Sequence, residues 1–459
     1  MAPLRNPLPL LAPALLALLL CTTPTHANQD DDDNTDYLGF HLVATMPYKL
    51  SDHTATTFNS AFGDDKGPRI YLVGGCVADQ LCNYIDKTVD DSLFCYCPEI
   101  TSKCVYFNPE TDEYTACADA PTERYRHMAA KVGDYLYLAG GRDLADGLIT
   151  TVDRYNTLTD TWDTPYTWAD ASSDGAAFAV ADLLYLVGGY DIFYSNILTT
   201  LTGIDTTVAG SAAITPYADM AVGRGDIAAI ELDGEFYVVG GWTGDWCTPS
   251  NVTEIYTPST DTWRSVEALF DPRGDLALGT MDGMIFAVGG EKKKSGDASC
   301  SYSVPVDLVE RYRVDAWNGE EDIPADLFRF SGASYNSSYN DARYKTGIYL
   351  FGGQGVYEKG AKTGADAGIF PVRDSTIKYV PTSTGHSSKD LSDGGIAGIV
   401  IAAVVVAGFI ALAAAFYCAR QRYIKLEDTD TGAEMGHVAV TVADMEGGKL
   451  DDEEEIKFR

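Results

Sequence analysis

The feature that most constrains this chain is a short apolar run ending in two glycines, which recurs six times. The runs end at Gly74-Gly75, Gly140-Gly141, Gly188-Gly189, Gly240-Gly241, Gly289-Gly290 and Gly352-Gly353, with first glycines 66, 48, 52, 49 and 63 residues apart. Such a period signals stacked supersecondary units, none of which can bury its apolar faces alone. In three copies an aromatic is followed seven residues later by a second: Phe107 with Tyr114, Tyr155 with Trp162, and Tyr256 with Trp263. A fifth copy compresses the pair to Tyr312 and Trp317, and the third copy lacks it. Each copy reads as a four-stranded sheet whose aromatics wedge against its neighbours. Gly-Gly lets the second strand end where a Cβ would clash.

The six Gly-Gly strands and the spaced aromatics resemble the kelch-repeat β-propeller family over residues 38–381. The resemblance implies an all-β fold, a six-bladed kelch-type β-propeller. After Gly353 only one further strand is apparent, Thr376 to Val380. The missing strand of the last blade is therefore expected from Phe40 to Thr45, closing the ring between the two ends of the domain.

The flanking segments carry address information. Residues 1–27 read as a signal peptide, with an apolar run from Leu8 to Leu20 and small residues at Thr25 and Ala27. Residues 28–37 form an acidic leader and 382–394 a polar stalk. Residues 395–418 read as one transmembrane helix, uncharged from Ile396 to Cys418. Arg420, Arg422 and Lys425 follow it, so residues 419–459 are expected as a disordered acidic tail in the cytoplasm. The expectation is a type I single-pass membrane protein with an extracellular or luminal ectodomain. Ala403, Ala407, Ala411 and Ala415 offer a small-residue stripe for a homodimer through the helix. A net charge of −34, from 33 basic and 67 acidic residues, argues against nucleic acid as a partner.

Eight cysteines fall in the ectodomain: Cys76, Cys82, Cys95, Cys97, Cys104, Cys117, Cys247 and Cys300. The first six are expected as three disulfides, with 15 connectivities open. Cys247 and Cys300 are expected to bridge two adjacent blades. A zinc site fits poorly, because Cys95-Tyr-Cys97 is not finger spacing and no histidine lies in the cluster. Asn251-Val-Thr and Asn336-Ser-Ser are glycosylation acceptors.

Arg224-Gly-Asp226 and Arg273-Gly-Asp275 invite an adhesion reading, but their register argues for repeat positions. Both arginines, like Arg124, lie 16 residues before a first glycine, and Asp174 shares the aspartate position. They are expected where arginine and aspartate pair across blades near the channel mouth. A ligand on that mouth would meet Arg124, Arg224, Asp226, Arg273 and Asp275. Trp242, Trp246, Tyr302 and Tyr357 are further candidates, because they sit in loops after Gly-Gly. Those loops are long at 76–102, 291–305 and 354–374. No catalytic motif, metal site or cofactor is indicated. The expected function is binding of a protein or glycan by a cell-surface or endomembrane glycoprotein. The alternative is a membrane-tethered carbohydrate-active enzyme (oxidase, epimerase or lyase-like) with its site at the channel mouth. Clustered carboxyls of raised pKa there would favour the enzyme.

Overall fold

The computed structural model describes residues 39–58, 67–84, 93–244, 248–295, 303–320, 322–323, 327–336, 345–359 and 368–381. The segments expected as signal peptide, leader, stalk, transmembrane helix and tail lie outside these residues, as do Trp246, Cys247, Cys300 and Tyr302. Among the described residues no helix is long and apolar enough to cross a membrane.

Six four-stranded antiparallel sheets follow one another along the chain. Sheet one comprises Thr54–Phe58, Arg69–Val73, Cys104–Asn108 and Glu113–Cys117; sheet two Met128–Val132, Tyr135–Ala139, Thr151–Asn156 and Thr161–Thr167. Sheet three comprises Ala176–Val180, Leu183–Val187, Leu201–Asp205 and Ile214–Tyr217; sheet four Ala228–Leu232, Glu235–Val239, Thr253–Thr257 and Thr262–Ser265. Sheet five comprises Ala277–Met281, Met284–Val288, Val309–Arg313 and Ala316–Gly319. Sheet six takes Ser331–Tyr335, Gly347–Phe351 and Ser375–Val380 from one end of the domain and Gly39–Thr45 from the other. The first strand of each sheet packs on that of the next, and sheet six packs back on sheet one. The strand expected at Phe40 to Thr45 is therefore present, paired with Ser375–Val380 as Phe40 with Tyr379 and His41 with Lys378.

The core lies in the seams. One cluster joins sheets one and two through Tyr71, Leu136 and Tyr155, and another joins three and four through Phe178, Tyr185 and Val238. Equivalent clusters fill the other four seams. Second strands are thus buried on both faces, and Met284–Val288 and Gly347–Phe351 are buried throughout. That explains their unbroken apolar runs, each large side chain contributing about 1.5–3 kcal/mol. The aromatic pairs close on one another at 5.1 Å for Phe107–Tyr114, 4.9 Å for Tyr155–Trp162 and 5.0 Å for Tyr256–Trp263. Sheet six has its own pair, Phe40 on Tyr379 at 4.4 Å. In sheet three Ile204 faces Ile214 in the corresponding register, after a 3-10 turn at Gly210–Ala213. Its aromatic is Tyr217, lying over Gly203, where a Cβ would come within 2.3 Å of the ring.

Three disulfides join Cys76 to Cys97, Cys82 to Cys95 and Cys104 to Cys117. Cys104–Cys117 links opposed residues of sheet one's last two strands. The other two brace the long loop of sheet one. Its strands Gln80–Tyr84 and Leu93–Tyr96 pair with Gly368–Phe370 and Glu358–Lys359 from the loop of sheet six. This auxiliary sheet crosses the seam where the ring closes.

Candidate functional site

The site begins with six residues, one before each innermost strand: Asp52, Arg126, Asp174, Asp226, Asp275 and Arg329. All have φ between 51° and 59°. This left-handed conformation is least costly for glycine, asparagine and aspartate among ordinary residues. Their backbones form an arc of hydrogen bonds. Arg126 N donates to Asp52 O, Asp174 N to Arg126 O, Asp226 N to Asp174 O (2.7 Å) and Asp275 N to Asp226 O (3.0 Å). Asp52 N donates to Arg329 O at 3.1 Å, so all six residues belong to one arc around the axis.

A second circle surrounds the first. The residue after each Gly-Gly bridges to the residue preceding an arc position: Cys76, Arg142, Tyr190, Trp242, Glu291 and Gln354. Several reach across to the following sheet. Tyr190 donates its hydroxyl to Asp226 (2.7 Å), Arg142 Nε donates to Ser173 (2.8 Å) and Gln354 donates to Asp52 (3.0 Å). Glu291 meets Arg329 at 3.2 Å. Within the circles lies a cavity of about 210 Å³, lined by the six arc residues, by His53 and His127 and by alanines of the first strands.

Charge is uneven around the arc. Arg126 lies between Asp52 and Asp174, at 3.6 and 3.7 Å. Arg329 lies between Asp275 and Asp52, at 3.5 and 4.0 Å. Asp174, Asp226 and Asp275 are consecutive, with no cation interposed along the arc. Burial, reinforced by Asp174, pushes the Asp226 carboxyl well above the usual carboxylate range. Burial, Asp226 and Glu291 do the same to Asp275. Two histidines follow arc residues into the cavity wall. Burial pushes His53 down to about 3 and lowers His127 strongly. His53 Nε2 contacts the Ser331 hydroxyl at 2.6 Å and His127 Nε2 that of Thr54 at 3.0 Å, each across a seam. Among the described residues no group of three or more metal-ligating side chains forms a metal site.

The arginines of the repeat lie elsewhere than the sequence register suggested. Arg124, Arg224 and Arg273 are fully buried and pair inside their own sheets, with Asp153 (2.5 Å), Glu254 (2.8 Å) and Glu310 respectively. Arg224 and Arg273 do not pair with the aspartates two residues later, Arg124 is followed there by Arg126 instead, and all three are buried away from the mouth. The guanidinium of Arg224 donates to the Gly240 carbonyl at 2.9 Å, and its backbone carbonyl accepts from Gly189 N at 2.9 Å. It thereby stitches two sheets. Gly225 and Gly274 leave room for Tyr190 and Trp242, since a Cβ would meet those rings at 2.3 and 2.4 Å. Each Arg-Gly-Asp is thus a buried clamp, a gap for an aromatic and a mouth carboxyl. Sequence reasoning missed the acids Asp153, Glu254 and Glu310. A usable signal existed, because each stands two residues before the third-strand aromatic.

Asp226 and Asp275 do line the cavity. Trp242 is buried against Gly274 and so is not an exposed anchor. Tyr357 is half-buried against Phe370 in the auxiliary sheet, at 5.3 Å. Exposed apolar tips instead come from two shorter loops: Leu144 (57 % exposed), and Ile192 with Phe193 (79 %). Arg142 ties these loops together, donating to the carbonyls of Asp146, Asp191 and Ile192. Asn336 is exposed, while Asn251 is half-buried and donates to the Leu269 carbonyl at 3.1 Å.

The repeat and fold define an all-β protein built from recurring four-stranded antiparallel units. A kelch motif matches residues 223–269, within the repeat of sheet four. The chain is 28% identical over 207 residues to a kelch-like protein, terF, of Aspergillus terreus, covering 42% of this chain and 41% of that one. It is 34% identical over 113 residues to Kelch-like ECH-associated protein 1B of Danio rerio, covering 24% of this chain and 18% of that one. The chain spans less than half the length of these curated relatives. A solved structure, that of YjhT, overlays 73% of this chain and 96% of its own with a TM-score of 0.53 at 12% identity, a likeness of fold. Motif and relatives together support the kelch-repeat family.

Proposed function

We propose that this chain is a membrane-anchored glycoprotein whose six-bladed kelch propeller binds a protein partner through its channel mouth. The observation that carries the reading is the shape of that mouth. A cavity of about 210 Å³ is smaller than the roughly 300–1,000 Å³ of small-molecule sites, yet apolar tips at Leu144, Ile192 and Phe193 stand exposed on two loops, one of which is tied to the cavity wall where Arg126 donates to Tyr194 at 2.9 Å. Such a face suits a polypeptide that lays an apolar segment on the tips and sends one side chain inward. The kelch relatives support protein binding in general terms. Anchorage rests on the uncharged stretch from Ile396 to Cys418. A luminal or extracellular address rests on the signal-peptide pattern and on three disulfides. Asn336 is the better placed of the two glycosylation acceptors.

A second reading has one observation in its favour. Asp226 and Asp275 are cavity carboxyls of raised pKa, as a membrane-tethered carbohydrate-active enzyme would use. The small cavity weighs against a saccharide. Capture from extract of the source cells tests both, using full-length disulfide-intact chain beside a Phe193→Ser, Ile192→Ser variant. A saturable protein partner lost with the variant supports the binder. A saccharide recovered with altered mass, and no partner, supports the enzyme.

A further inference from the structure

Resting on the binding reading, we infer that the mouth recognises a basic side chain of the partner, seating its guanidinium or ammonium group among Asp174, Asp226 and Asp275. Three consecutive arc positions carry carboxyls, and the ion pairs of both mouth arginines within 4.0 Å go to Asp52, Asp174, Asp275 and Glu291, with Arg126 and Arg329 acting on Asp226 only from farther away. Asp226 is flanked by acids on each side, and among the described residues its side-chain donor is the Tyr190 hydroxyl.

Two neighbouring acceptors are unused. The Asp174 side chain is only 5% exposed, lines the cavity, and its Oδ2 has no hydrogen-bond partner among the described residues. Glu291, next to Asp275 and 3% exposed, likewise leaves Oε2 without an N–H donor, while its carboxyl lies in hydrogen-bond range of the Asp275 carboxyl. Ionised carboxylates only accept hydrogen bonds, so their complement must be a donor, and a cation satisfies both the bonds and the charge. A cavity of about 210 Å³ leaves space for one long side chain and not for a folded element. The apolar tips beside the acids are placed for its neighbours in the partner's sequence, which favours a polypeptide over a free amine.

The test uses full-length, disulfide-intact chain and four probes followed by calorimetry: acetyl-Leu-Arg-Leu-amide, its citrulline and glutamate counterparts, and agmatine. The arginine peptide should bind saturably, the citrulline peptide at least tenfold more weakly, and the glutamate peptide not at all. Asp226→Asn should weaken the arginine peptide at least tenfold while its Tm stays level or rises. Asp275→Asn is the second variant should the first fold poorly. Equal binding of the arginine and citrulline peptides, or indifference to both substitutions, overturns the inference. Agmatine binding as tightly as the peptide would overturn the partner side chain in favour of a free amine. Failure of every probe, with a captured partner still lost on Phe193→Ser, would sink the cation site and leave the binding face standing.

Discussion

The seam between sheets three and four and the seam between sheets six and one bury similar cores but are secured differently. At the first, the chain simply runs on. Phe178 stacks on Phe236 at 4.1 Å, Arg224 takes the Gly189 N–H, and Tyr190 reaches Asp226. The second joins segments some 300 residues apart in sequence, and ordering so long a connection is entropically costly. It has the same backbone bond, Gly353 N to Leu50 O at 2.8 Å, and a cross-seam contact from Gln354 to Asp52. It adds a strand taken from the other end of the domain and a four-stranded sheet braced by two disulfides. Reinforcement is concentrated where chain connectivity offers none.

Removing Gly39–Thr45 is the most drastic way to break that comparison. It strips sheet six of its outer strand and exposes the face of Tyr379. Denaturant titration should lose its single cooperative transition, and an unchanged transition would show that the ring needs no such closure. At the ordinary seam, Arg224→Leu leaves Glu254 buried without its partner and should cost about 3–5 kcal/mol in chemical denaturation. The double change Cys82→Ser, Cys95→Ser should cost about 2–3 kcal/mol. Its losses should appear first as faster hydrogen exchange in Gly368–Phe370, across the seam, rather than in sheets three and four.

Acid gives the smallest and most graded probe. His53 and His127 bind fewer protons folded than unfolded, so the stability they contribute is present above pH 6.5 and is lost as pH falls towards their lowered folded values, near 3 for His53. Between pH 6.5 and 5 each should cost up to about 2 kcal/mol. Asp226 and Asp275 act oppositely, because their raised values favour the folded state as pH falls. His53→Gln should flatten the pH dependence of Tm, and a slope identical to that of the parent chain would remove this histidine from the closing seam's account.

Much of the fold was legible because it is periodic. Gly-Gly positions, second strands and four of the aromatic pairs recur at readable spacings, and even the closing strand followed from counting what sheet six lacked. Sheet three hid its last strand because Ile204 and Ile214 replace the aromatics and a 3-10 turn stretches the spacing. The mouth was half legible. Register identified Asp226 and Asp275 as equivalent positions, but spacing alone does not tell whether a side chain turns inward or outward. Arg224 and Asp226 stand two apart, yet one is a clamp within the sheet and the other a cavity wall. Only a partner outside the motif, Glu254, decides between them.

The hydrogen-bonded arc at the mouth has an effect beyond holding the first strands together. Its peptide groups point one after another around the axis, so their dipoles run tangentially and largely cancel instead of adding to a pole, unlike those of a helix. The backbone there gives the opening little polarity of its own. The sign and layout of its field are set by the six side chains it carries, now four acids and two bases. Exchanging aspartate for asparagine at any of the four acidic positions keeps a residue suited to the left-handed conformation. The opening's electrostatics are therefore adjustable in single-charge steps without moving the scaffold.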